Sequence, residues 1–340
     1  MLKSYLKYGA VTTKVRAMSG KLLSKADWAQ IAGFKTLNEL AAFLRNTPAW
    51  GQRMAKLSGE LTGRALQQSL RAGLKDEYTR LYRFGDHTDK RLLGYAVFRA
   101  EYRAILSALA RLGGGGPASD LGAREEPLAE RSKTGVALIE LSADFEELLQ
   151  NTARTVYGET LRRLPRVKNG MPDFAEASEV LENRYYSAVY ADLEEVGAKV
   201  SKGAMDRIGL EADLLNICGI LRLHRNFPAS LPEVKNLLIP IRGQLTEILQ
   251  NSLIAAPDEA SALALLQGTA WAKFFPRDKE LNLERLSEQA METFCRDLIK
   301  SVQPGPFFPQ AFLTLREIEC AKLSRVITAI SYGINPATVL

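Results

Sequence analysis

Side chains able to carry out acid–base, nucleophilic or metal chemistry are few in this 340-residue chain, and they are scattered. The two histidines are His87, in the polar run Gly85-Asp86-His87-Thr88-Asp89, and His224, which follows a helical stretch. Neither has a nucleophile or a second ligand at a useful spacing, so a solvated loop or helix-end imidazole is expected. Cys218, Cys295 and Cys320 lie far apart, outside any CxxC or Cys/His pattern, each among apolar neighbours. They read as small buried hydrophobes. Acidic pairs occur at Glu125/Glu126, Glu146/Glu147, Glu194/Glu195 and Glu317/Glu319. Side chains one or two positions apart point different ways on a helix, so the pairs predict solvated charge and no acid–base dyad.

The GxxxxGK[ST] and GxGxxG phosphate-binding patterns are absent, as are HExxH and GxSxG. The glycine run Gly113–Gly116 follows a helix and runs into Pro117, so it cannot present amides at a helix start. The residues therefore predict no catalytic centre, no cofactor and no metal. An enzyme would need a dispersed site on a helical scaffold.

Charge narrows the partners only a little. The chain carries 45 Lys+Arg against 39 Asp+Glu, a net +6 with pI near 9.1. The excess concentrates in Met1–Lys25 and Arg154–Lys168. That permits nucleic acid, anionic headgroups or an acidic protein, and equally a solvated helix face. Tyr157 near Arg162 and Arg163 is the nearest approach to a nucleic-acid surface, and no such module is present. The basic N-terminus lacks the apolar block of a secretory signal. No stretch approaches the roughly 18 apolar residues of a membrane span. A cytoplasmic chain is expected, meeting a membrane through a partner or at the surface.

The elements that must position these residues are helices almost throughout. Apolar residues make up 46% of the chain and charged ones 25%, the balance of a packed domain. In Arg91–Leu112, Leu92, Tyr95, Phe98, Tyr102, Ile105, Leu109 and Leu112 recur at steps of three and four, giving one apolar face. Thr36-Leu37-Asn38-Glu39 is a capping box, and Asp144 with Glu147 opens a helix that Pro165 closes. Pro228, Pro232 and Pro240 punctuate the region after Phe227, and Pro304, Pro306 and Pro309 make a stiff turn before a final helix, Gln310–Ile330. Val136–Leu141 reads as a helix start or extended loop, with a short strand as the other reading. The predicted organisation is a first helical unit over 1–112, a linker over 113–127, a middle helical region over 128–303 and a C-terminal helix over 304–340.

An internal repeat is visible in the letters. Glu39–Trp50 and Ala260–Trp271 match at a constant offset of 221 through Ala41/Ala262, Leu44/Leu265, Ala49/Ala270 and Trp50/Trp271. Each block follows a helix-start signal and lies downstream of a similar helix, Tyr8–Leu23 or Ile208–Leu223, and Phe312–Ile330 is a third helix of that character. Stacked helical repeats bury faces that no single unit could bury, and their usual purpose is to shape a surface.

The run Asp213-Leu214-Leu215-Asn216-Ile217-Cys218-Gly219-Ile220-Leu221-Arg222 follows Tyr185–Val189. With the N-terminal Tyr8, Val15–Met18, Lys21–Ser24 and Thr36–Leu44, it resembles the C (or d) subunit of V-type and archaeal-type rotary ATPases. The closing helix with Arg316-Glu317-Ile318-Glu319 is similar to that family's K-E-x-E helix. The resemblance runs through nearly the whole chain in order. The sequence departs from the family at Lys322, where Asn is common.

This resemblance implies an all-α fold of three similar helical units arranged as a pseudo-threefold funnel. It implies a non-catalytic rotor subunit, one copy per complex, on the inner face of the membrane. Its base would rest on the proteolipid ring and its cavity would receive the central shaft. Membrane contact would be indirect and nucleic acid would play no part. A general helical adaptor and an RNA-binding helical protein are the competing readings. Leu214, Ile217 and Leu221 share the apolar stripe and are expected in the core. Asp213, Asn216 and Arg222 either pair or cap inside the wall or line the cavity and meet the shaft; Arg16, Lys322 and Arg325 are partner-contact candidates of the same kind.

Overall fold

Thr36 and Asp144 cap helix starts where their letters predict. The computed structural model describes residues 2–57, 61–86, 90–114, 125–168, 170–226, 234–235, 237–241, 243–275, 282–301 and 304–340. His87, most of the expected 113–127 linker, Pro228 and Pro232 lie outside the described residues. The fold is all-α. Its helices are α1 Leu2–Ser19, α2 Lys25–Ile31, α3 Leu37–Arg45, α4 Gly63–Phe84, α5 Tyr95–Leu112, α6 Val136–Glu140 and α7 Phe145–Thr152. They continue as α8 Phe174–Val196, α9 Ala198–Asn226, α10 Glu247–Ala255, α11 Glu259–Gln267, α12 Leu283–Lys300 and α13 Phe308–Ser331. Arg166–Lys168 and Met171–Pro172 form a small antiparallel ribbon.

Some boundaries differ from the expected ones, for local reasons. The helix expected from Arg91 starts at Tyr95, because a turn intervenes before Gly94. The helix opened by Asp144 stops at Thr152, and a separate short helix, Gly158–Arg163, follows. The N-terminal helix ends at Ser19 and not Leu23, whose amide is bonded elsewhere. His224 lies within the last turn of α9, its Nε2 2.8 Å from the Leu253 carbonyl. Val136–Glu140 is helical.

Three segments share one local pattern. Ser24, Ser132 and Thr246 stand 108 and 222 positions apart, and each hydroxyl accepts an amide three residues on, at 3.2, 3.2 and 3.3 Å. At the same offsets Ile31, Ile139 and Leu253 are fully buried. Thr36, Asp144 and Asp258 then cap α3, α7 and α11, accepting from Glu39, Glu147 and Ser261 amides at 3.2, 2.8 and 2.8 Å. Thr47, Thr155 and Thr269 donate to the Leu44, Thr152 and Leu266 carbonyls at 2.8, 2.8 and 2.7 Å. Each of these threonine oxygens accepts the amide of a buried aromatic, Trp50, Tyr157 or Trp271, at 3.2 Å. The lettered repeat at offset 221 thus aligns only the aromatics. The helices themselves align at 222, because the later copies are one residue shorter in the final turn.

A buried carboxylate holds the start of each segment. Glu101 on α5 accepts the Ser132 hydroxyl at 2.8 Å. Asp213 on α9 accepts the amides of Gly243, Gln244 and Leu245 at 3.1, 2.6 and 2.9 Å. Glu319 on α13 accepts the Leu23 amide at 2.7 Å and the Trp50 indole at 3.0 Å. Gly243 permits this approach: a Cβ there would stand 2.7 Å from the Gly209 backbone and 2.8 Å from the Asp213 carboxylate.

The long helices pack in the order α4, α13, α12, α9, α8, α5. The Tyr78 and Tyr95 hydroxyls, 2.5 Å apart, tie α5 back to α4. Leu66, Leu70, Leu74 and Tyr78 give α4 its buried face at a four-residue step. Ala96, Ala100, Ala104 and Ala108 give α5 a buried face of small residues that lets its neighbours approach closely.

Candidate partner-binding cavity

A cavity of about 470 Å³ lies where α4, α5 and α13 meet the start of α12. Arg71 and Leu74 come from α4, Arg99 and Arg103 from α5, Glu288 from α12, and Glu317, Cys320 and Ser324 from α13. Glu125–Pro127 closes one side. The four-residue step from Arg99 to Arg103 puts both guanidinium groups on one face of α5.

The charges in this cavity answer one another. Arg99 forks onto Glu317, its Nη1 3.0 Å from Oε2 and its second nitrogen on Oε1. Tyr78 also donates to Glu317 Oε1. Glu126 is 5% exposed, and the loop carries it into contact with Arg103, with Arg71 at 3.7 Å and Arg99 at 4.0 Å. Burial works to raise the Glu317 carboxyl, but the Arg99 guanidinium outweighs it and holds the group below the usual carboxylate range. Burial pushes the Tyr78 hydroxyl well up and does the same to the Cys320 thiol. A carboxylate held ionised by Arg99 and a thiol held protonated by burial make a charged socket.

Two expected solvated pairs are therefore corrected. Glu126 is closed in by three arginines, and Glu317 and Glu319 both reach inward. Their two-residue spacing does send them different ways: Glu317 into the cavity, Glu319 to Leu23 and Trp50. Burial raises Glu319, with Arg316 opposing.

The six candidate contact residues do not come together. Asp213 is fully buried among the amides it caps. Asn216, 3% exposed, donates to the Ile239 carbonyl at 3.0 Å and accepts the Ile239 amide at 2.8 Å. Both hold the 239–245 segment against α9, while Arg222 is exposed at the far end of that helix. Arg16 donates to the carbonyls of Ile299 and Ser301, satisfying the end of α12. Lys322 meets Glu292 at 2.6 Å, and Arg325 forks onto Glu288 at 2.9 and 2.8 Å. The last three tie α12 to α1 and α13. Leu214, Ile217 and Leu221 are fully buried, as their stripe predicts.

The cavity residues Arg71, Arg99, Arg103 and Glu126 were not among the candidates. Only the four-residue spacing of Arg99 and Arg103 on one face of α5 could have signalled them. All three cysteines are buried. Burial raises the Cys218 thiol to about 11. Among the described residues no group of His, Cys, Asp and Glu could hold a metal ion, and no helix is long and apolar enough to cross a membrane.

Comparison with known proteins bears on the whole chain. It is 22% identical to the A-type ATP synthase C subunit of Pyrococcus abyssi, over 98% of this chain and 90% of the relative. It is 24% identical to the A-type ATP synthase C subunit of Thermococcus onnurineus, over 98% and 89%. For the protein of the same description from Methanosphaera stadtmanae the identity is 23%, over 95% and 83%. Residues 11–340 match the sequence profile described as ATP synthase (C/AC39) subunit, and on a match of that extent the chain belongs to that family.

Proposed function

We propose that the chain is a non-catalytic rotor subunit of a V/A-type ATPase. It couples the central shaft to the membrane proteolipid ring during ATP-linked H⁺ or Na⁺ transport. It sits once per complex on the cytoplasmic face, its three units arranged as a pseudo-threefold funnel, and meets the membrane only through the ring. Membership of a family of ATP synthase subunits supports the complex, and relatives described as the C subunit support the position.

The observation that carries the reading is the charged cavity lined by α4, α5, α12 and α13, with the Tyr78–Tyr95 hydroxyl pair joining the ends of the helix course. A torque-bearing socket needs stiff walls and a lining that holds a partner without chemistry of its own. Of the six proposed contacts, Arg222 is exposed, while Arg16, Lys322 and Arg325 also brace α12 through bonds within the chain. Asp213 and Asn216 act inside the wall, on the backbone of Ile239 and Gly243–Leu245. Along the chain the proposed rotor subunit divides into a first helical unit over 1–112, a linker over 113–127, a middle helical region with the second unit over 128–303 and a C-terminal helix over 304–340 that completes the third unit.

Co-purification from detergent-solubilised membranes tests it. Recovery with an ATPase head and a proteolipid supports the rotor role. Recovery without them leaves the helical adaptor, and nuclease-sensitive association the RNA-binding protein. Deleting the gene should leave ATP hydrolysis by the head and abolish ATP-driven ion movement.

A further inference from the structure

A second groove, also about 470 Å³, opens beside the first repeat on the outer side of α4, and its charges are not balanced. Lys21, Arg45, Arg53, Lys56, Arg80 and Arg316 line it, facing only Asp76 and Glu77. Arg53 pairs with Asp76. Arg316 is 3% exposed, forks onto Glu77 at 2.9 and 3.0 Å and lies over the Trp50 ring. These two pairs neutralise the floor. The remaining four cations, Lys21, Arg45, Lys56 and Arg80, are exposed and have no ion-pair partner among the described residues.

The repeat supplies an internal control on whether the fold requires this charge. At the offsets that superpose the capping residues, Lys21 corresponds to Ala129 and Gly243, and Arg45 to Ala153 and Gln267. Counted from the buried aromatic, Arg53 corresponds to Thr160 and Phe274. Lys56 corresponds in the second copy to Arg163, which Glu159 answers. Two copies thus build the same capped turn without the cations at positions 21, 45 and 53, while position 56 stays basic in both, as Arg163 and Arg277. Four unpaired like charges around one groove sum to a positive potential that draws an anionic partner.

The lining also selects the occupant. None of the large exposed apolar side chains lines the groove, so it offers no wedge for a lipid surface. Trp50 is 1% exposed beneath Arg316, so its ring is closed to a stacking base. An open trough with a polar floor and cations along its rim fits an extended peptide rich in Asp and Glu. We infer that this groove docks an acidic segment of a partner protein, held by Lys21, Arg45, Lys56 and Arg80. The inference stands apart from the rotor reading, since it uses neither the cavity nor the family.

The test is fluorescence anisotropy of a labelled oligoglutamate peptide on the purified full chain at low ionic strength. The groove variant carries Lys21→Ala, Arg45→Gln, Lys56→Gln and Arg80→Gln, the first two being residues that other copies carry. A control variant with Lys133→Gln, Arg154→Gln, Arg162→Gln and Lys300→Gln loses the same net charge from exposed sites elsewhere. Circular dichroism establishes that both are folded. The groove variant should bind about tenfold or more weakly, the control close to wild type, and added salt should weaken binding steadily. Equal loss in both variants, no binding by wild type, or preference for tripolyphosphate or phosphatidylserine vesicles over the peptide would each overturn the inference.

Discussion

Glu319 accepts the backbone amide of Leu23 at 2.7 Å across 296 positions of sequence. Its other oxygen takes the Trp50 indole, so one side chain on α13 fixes both the start and the end of the first repeat. Glu101 and Asp213 act on the second and third repeats from helices that immediately precede them. The first repeat is served instead by the helix furthest from it in the chain.

Replacing that carboxylate should be costly. Glu319→Ala leaves Arg316 with Glu77 as its one remaining carboxylate among the described residues and strips acceptors from two buried donors. A loss of about 3–5 kcal/mol is expected in urea unfolding. Hydrogen exchange at Leu23 should rise more than at Leu245. A uniform change across both would show that the carboxylate is not specific to the first repeat.

The face of α4 that meets Trp50 has room only for hydrogen at Gly73. A Cβ there would stand 2.9 Å from the indole ring. Gly73→Ala should destabilise the chain by about 1–3 kcal/mol through overpacking, despite the better helix propensity of alanine. A raised melting temperature would mean that the ring moves aside freely.

On α9, burial decides the outcome within one turn and a half. Ile217→Ala should cost about 2–5 kcal/mol by opening a cavity, read as a lower denaturant midpoint. Arg222→Ala, at an exposed position, should change stability by less than about 0.5 kcal/mol. Equal effects would place both side chains on one face.

Acid should weaken the molecule through carboxylates whose folded values are depressed. Burial works to raise Glu317 and Glu292, yet Arg99 lowers the first, and Lys322 with Arg296 lowers the second. A depressed group contributes stability above its unfolded value, and that stability is lost as pH falls through the folded value. Glu101 and Glu319, which burial raises, act in the opposite sense: their contribution is present at low pH and lost as pH rises. Glu317→Gln should therefore flatten the fall in unfolding free energy below about pH 4.5 relative to wild type. An unchanged slope would show that Glu317 is not ionised in the folded chain.

If the rotor reading holds, docking of the purified central shaft should be charge-led. Affinity should fall with added salt, and Arg103→Glu at the half-exposed edge of the cavity should weaken it further. An affinity indifferent to salt would point to an apolar contact.

Helix starts and the core of α9 were legible because capping and periodicity are local. Thr36 with Glu39, Asp144 with Glu147, and the Leu214/Ile217/Leu221 stripe each need only a few neighbouring letters. The second copy of the repeat is hard to see in the letters because its identities, Ser132 for Ser24, Ile139 for Ile31 and Thr155 for Thr47, are sparse. Asp144 stands for Thr36 and Tyr157 for Trp50 only as chemical equivalents, and the turn between helix and aromatic differs by one residue. The cavity was hidden for another reason. Spacing shows that Glu317 and Glu319 diverge, but what each meets comes from α5 and from the N-terminal segment, more than two hundred positions away.

The bond between Glu319 and Leu23 also orders events during synthesis on the ribosome. Every other repeat receives its carboxylate before its own residues emerge, whereas the first waits for nearly the entire nascent chain. Until α13 is released, the Leu23 amide and the Trp50 indole lack their native acceptor. The first repeat is thus completed after the other two, when α13 docks on it.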